Sequence, residues 1–78
     1  MIKFKNLNKA CNEIGFNFEM RNIYLCVYDE VGHMLIKIFP YNAWAIDFMS
    51  DFNLCFEDEK AMLIKAITKD YEDYINED

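Results

Sequence analysis

The run Ile23-Tyr24-Leu25-Cys26-Val27-Tyr28-Asp29-Glu30-Val31-Gly32-His33-Met34-Leu35-Ile36-Lys37-Ile38-Phe39 decides the fold. Two stretches rich in β-branched and aromatic residues flank a short polar segment, which is the pattern of a β-hairpin. Asp29-Glu30-Val31-Gly32 suits a type I turn closed by Gly32 in the left-handed region, where glycine has no Cβ to clash. That turn pairs Asp29 with His33, Tyr28 with Met34, Cys26 with Ile36 and Tyr24 with Ile38. A second turn around Pro40-Tyr41-Asn42 leads into a third strand and pairs Ile38 with Trp44, Ile36 with Ile46 and Met34 with Phe48. One face then holds Tyr24, Cys26, Tyr28, Met34, Ile36, Ile38, Trp44, Ile46 and Phe48 without any charge. A slip of one residue in either register would bring Lys37 or Asp47 onto it. The opposite face is expected to mix Ile23, Leu25, Val27, Leu35 and Phe39 with Asp29, His33, Lys37 and Asp47. It is more apolar than a sheet face open to water usually is, which predicts a cover or a partner there.

Outward from this sheet the chain is helical at both ends. Phe4, Leu7, Cys11 and Ile14 recur three and four apart, one helical stripe, and Gly15 stops it. Phe16-Asn17-Phe18-Glu19-Met20 alternates and predicts either a short extra strand or an extended lead-in. Ser50 to Cys55 reads as a connection with one turn of 3₁₀ helix. Phe56 to Ile75 reads as a long helix with Phe56, Leu63, Ile64, Ile67, Tyr71, Tyr74 and Ile75 on its apolar arc. Glu57, Asp58 and Glu59 suit the positive end of its dipole. Glu72, Asp73, Glu77 and Asp78 oppose the negative end, at a cost of a few tenths to about 1 kcal/mol each. The expectation is one α+β domain over residues 1–78: a two-layer fold with a three- to four-stranded antiparallel sheet and both helices on one face, in the order α-β-β-β-α.

Composition narrows the function classes. Apolar residues make up 54% and aromatics 17% of the 78 residues, enough to fill a small core and to argue against disorder. Fourteen acids against eight bases leave a net charge of −6, which disfavours direct binding to nucleic acid or an anionic membrane and permits a protein partner with a basic surface. No apolar run is long enough to span a bilayer, and the first residues lack a signal-peptide core, so a cytoplasmic protein is expected. Cys11, Cys26 and Cys55 are odd in number and widely spaced, which points to reduced thiols.

Catalytic readings are weak. His33 sits beside a turn without a nucleophile placed to serve it. Ser50-Asp51 and Cys55 have the context of a helix cap and a buried thiol. Asp70-x-x-Asp73 and Glu57-Asp58-Glu59 read as solvated helix surface rather than a metal site. Trp44, Tyr24 and Tyr28 read as core rather than a stacking platform, because single-strand binders add a cationic groove. No enzyme, cofactor or metal is expected.

The segment Leu25 to Ile36, containing the pattern VYD-x-x-G-x-x-L, followed by Ile46-Asp47-Phe48 and a terminal helix with Leu63 and Ile67, resembles small phage or prophage proteins of low-GC bacteria. The helix–strands–helix order is also similar to small acidic anti-CRISPR proteins. The resemblance implies a non-enzymatic inhibitor that occupies the nucleic-acid-binding surface of a host nuclease complex, such as a CRISPR effector, with carboxylates. Asp29, Glu30, Asp47, Asp51, Asp58, Asp70, Glu72, Asp73, Glu77 and Asp78 are the candidate contacts. The alternative is a structural or regulatory module that forms a homodimer, or binds another protein, through Ile23, Leu25, Val27, Leu35 and Phe39.

Overall fold

A computed structural model describes residues 3–40 and 44–76. The elements are helix α1 (Lys5–Ile14), strands β1 (Asn17–Met20), β2 (Leu25–Tyr28), β3 (Met34–Phe39) and β4 (Ala45–Phe48), a 3₁₀ turn (Ser50–Leu54) and helix α2 (Glu57–Ile75). The strands form one antiparallel sheet in the order β1-β2-β3-β4, so residues 17–20 are a genuine edge strand. The layout is α+β, with side chains of both helices in one core with the sheet. Gly15 ends α1 at φ 78°, and the following Phe16 N–H returns to the Cys11 carbonyl at 2.8 Å.

The β2–β3 turn forms as its residues dictate. Gly32 adopts φ 98°, its N–H donates to the Asp29 carbonyl at 3.2 Å, and Asp29 N–H donates to the His33 carbonyl at 3.0 Å. Tyr28 faces Met34. Beyond that pair the register changes: Val27 faces Ile36, Cys26 faces Lys37 and Leu25 faces Ile38. Leu35 is an extra residue in β3, a β-bulge. Its carbonyl accepts the Met49 N–H at 2.8 Å, tying the bulge to the end of β4.

That bulge reverses the expected face of β2. Leu25, Val27, Leu35, Ile36 and Ile38 are all fully buried in one core with Phe4, Leu7 and Cys11 of the α1 end and Leu63 and Ile67 of α2. Tyr24, Cys26 and Tyr28 turn to the outer side with Lys37, whose Nζ lies 4.8 Å from the Tyr24 ring centre. The expected contact surface of Ile23, Leu25, Val27, Leu35 and Phe39 is therefore dismantled. Leu25, Val27 and Leu35 are core, Phe39 stacks on Tyr24 at 5.6 Å, and only Ile23 is broadly exposed. The other pairing differs by two residues: Ile38 faces Ile46 and Ile36 faces Phe48. A shift of two preserves the face. Trp44 precedes β4 and stacks against Phe4, Tyr71 and Tyr74 at 5.5, 5.0 and 5.8 Å. Of the expected second turn, Tyr41 and Asn42 lie outside the described residues.

Helix α2 is also rotated from its expected face. Its buried stripe is Leu63, Ala66, Ile67 and Asp70, while Ile64 and Ile75 face outward and Tyr71 lies at the margin against Trp44. Asp70, only 4% exposed, explains this rotation. Phe4 stands at the N-cap of α1 in the left-handed region, φ 51°, and has no side-chain acceptor to offer the free N–H groups of the first turn. Asp70 supplies it from the other end of the chain. Its Oδ1 accepts the Asn6 N–H and the Asn6 Nδ2, each at 2.9 Å, and its Oδ2 accepts the Leu7 N–H at 2.8 Å. Asp73 Oδ2 accepts a further bond from Asn6 Nδ2 at 3.3 Å. Asp70 thus caps the N-terminus of α1, where negative charge stabilises, and Asp73, one of the acids that oppose the dipole of α2, adds its bond to the Asn6 side chain.

Candidate functional site

The expected acidic contacts divide into separate places. Asp70 is a buried cap and is not a contact residue. Asp73 is engaged with Asn6 and with Lys69 at 3.3 Å, beside the exposed Glu72. Asp47 lies opposite Lys37 in the β3–β4 register, on the outer sheet face. Glu77 and Asp78 lie outside the described residues. Asp29, Glu30 and Asp51 converge with Glu59 around one recess of about 240 Å³. Asp58 is exposed in the same first turn of α2. The sixteen helical steps from Glu57 to Asp73 span about 24 Å, more than twice a physiological Debye length, so the two acidic ends act as separate fields.

Three local structures build the recess. The hairpin turn holds Asp29, whose Oδ1 accepts the Val31 and His33 N–H groups at 3.1 and 2.8 Å and whose Oδ2 lies 3.0 Å from His33 Nδ1. Desolvation pulls the Asp29 carboxyl upward, but the bonds from the His33 backbone, the His33 ring and the Val31 N–H together hold it below the usual carboxylate range. The 3₁₀ turn anchors itself through buried Phe52, which stacks on Phe48 at 4.8 Å, and so leaves Leu54 outside. Helix α2 then starts at Glu57 with Phe56 as its N-cap. Glu59 Oε1 accepts the Phe56 N–H at 3.0 Å, which is half of a capping box. The other half is missing because a phenyl ring accepts no N–H bond.

The apolar residues here were not legible as a site. Leu54 is 81% exposed and Phe56 75%, and Val31 at the hairpin apex is 73% exposed. Each would gain about 1.5–3 kcal/mol from burial. Phe56 also stands where Ser, Thr or Asp would stabilise the helix by about 1 kcal/mol. Phe56 thus costs the fold stability in two ways. Cys55 lies among them with its thiol pushed up, first by burial and then by the charges of Glu59, Asp29 and Asp51, against a small opposing pull from Lys60.

No family model matches the chain, and no curated protein or solved structure matches it. A fold alone carries no function. Among the described residues, no cluster of His, Cys, Asp and Glu converges as a metal site, and no helix is long and apolar enough to cross a membrane. What the end does offer is two exposed apolar side chains, Leu54 and Phe56, lining one recess with Asp29, Glu30, Asp51 and Glu59. That arrangement matches the apolar core and polar rim of a protein-binding patch.

Proposed function

We propose that the protein is a non-enzymatic binding module whose acidic end docks on a basic protein surface. The observation that carries this is the pairing of exposed Leu54 and Phe56 with Asp29, Glu30, Asp51, Asp58 and Glu59 on one end of the fold. Phe56 serves as the anchor, since buried aromatic residues carry much of the energy at such interfaces. The carboxylates steer the encounter and select a cationic partner. A basic surface able to receive them is the kind that otherwise holds nucleic acid, so the module competes with nucleic acid for it. Inhibition of a host nuclease complex, the role implied by the likeness to anti-CRISPR proteins, is the biological form of this competition.

The test uses the immobilised protein, a Phe56→Ala variant and a Glu30→Gln/Asp51→Asn/Asp58→Asn variant against cell lysate. The expected partner is retained by the unaltered protein, lost from both variants, and released by added DNA and by salt. A partner retained equally by all three proteins, or indifferent to DNA, refutes the proposal.

A further inference from the structure

A second surface has the opposite charge. Helices α1 and α2 leave between them an open groove of about 290 Å³, floored by Ala10, Met62 and Ala66 and edged by Lys9, Lys65 and Lys69. Only Glu13 is acidic in its lining. On a chain of net charge −6 this concentration of lysine needs a reason. Lys65 and Lys69 are four apart on one helix, as are Lys5 and Lys9 on the other, and like charges at that spacing destabilise a helix. Lys69 leans on Asp73, but among the described residues neither Lys9 nor Lys65 forms an ion pair.

We infer that this groove binds a short acidic peptide segment of a partner protein, with carboxylates on the lysines and an apolar side chain on the alanine and methionine floor. Length selects a peptide over a polyanion. The groove runs from Asn6 to Glu13 along α1, about 10 Å. Beyond one end stand Glu72 and Asp73, and beyond the other stand Glu57, Asp58 and Glu59. A nucleic acid long enough to leave the groove meets repulsion at both exits, whereas a few residues with two or three carboxylates fit between them.

The probe is a labelled short peptide of alternating glutamate and leucine, titrated into the full chain at low salt. Its controls are the glutamine–leucine analogue and a single-stranded oligodeoxynucleotide. The expected result is saturable binding of the glutamate peptide only, with methyl NMR shifts at Ala10, Met62 and Ala66. Lys9→Gln/Lys65→Gln should weaken it by about tenfold, while Lys37→Gln leaves it unchanged. Both substitutions are on the surface, and a matched melting curve shows that the fold persists. No binding, equal loss with Lys37→Gln, or tighter binding of the oligonucleotide overturns the inference. So does lysine-dependent self-association in sedimentation, which would assign the groove to a second copy.

Discussion

Replacing Asp70 tests the least expected contact in the fold. Its carboxylate accepts the Asn6 and Leu7 backbone N–H groups and the Asn6 side chain, at 2.8–2.9 Å, with 4% of its surface exposed. Loss of a helix-capping acceptor costs about 0.5–2 kcal/mol. Here the donors are also partly shielded from water, and a buried donor left unsatisfied costs about 1–3 kcal/mol. Asp70→Ala should therefore destabilise the domain by about 2–4 kcal/mol. For a domain of this size each kcal/mol moves the melting temperature by about 4–8 °C, so a loss of at least about 10 °C is expected. Asp70→Asn keeps one acceptor oxygen and should lose about half as much. Thermal and urea denaturation followed by circular dichroism measure both. Asp73→Ala, which removes the weaker 3.3 Å bond to Asn6 and an exposed ion pair with Lys69, should stay within about 0.5 kcal/mol. A change of less than 0.5 kcal/mol for Asp70→Ala would show that water caps α1 just as well, and the assignment of Asp70 would fail.

Phe56→Ser should stabilise the fold by about 1 kcal/mol, because serine caps a helix and the lost ring was in water; the same variant should lose the partner, and a fold no more stable than before would contradict the cost assigned to Phe56. Leu25→Ala should cost about 2–5 kcal/mol in denaturation and Tyr24→Ala less than half of that, since only Leu25 lies beneath the helices; the reverse order would restore the unbulged register. With its carboxyl held below the ordinary range, Asp29 contributes stability that is present above the unfolded value of about 3.9 and lost as pH falls through the folded value. Asp29→Asn should flatten that acid limb, and an unchanged acid midpoint would rule out its role. Burial raises the Cys11 thiol to about 11, so the folded state should lose stability as pH rises from about 9 towards 11. Cys11→Ala should remove that alkaline loss, read as the difference between the two pH–stability curves.

Most of the architecture was written in local patterns. The Asp29–Gly32 turn, the αL stop at Gly15 and the apolar stripe of α1 depend on neighbours in sequence, and each formed as expected. Two features depend on distant partners and were hidden. The bulge at Leu35 has no signature in its own residues: Leu35 and Ile36 are equally apolar, and either register buries a plausible set. Asp70 has the composition of surface, and only the missing acceptor at Phe4, 66 residues earlier, gives it a buried task. The candidate site was half legible. Asp29, Glu30 and Asp51 were in view as charges, but exposed Leu54 and Phe56 were invisible to a rule that sends apolar residues inward. A phenylalanine in the capping position before an acidic helix start was the available clue.

The bond between Asn6 and Asp70 has a consequence for synthesis. A ribosome releases α1 before α2, yet the acceptor for the opening turn of α1 belongs to α2. Helix α1 thus emerges ahead of the sheet but is completed after it, and chains that stop before residue 70 leave it frayed. Translation and folding run in opposite order at this point: α1 is completed only after residue 70 has been synthesised and has docked on it.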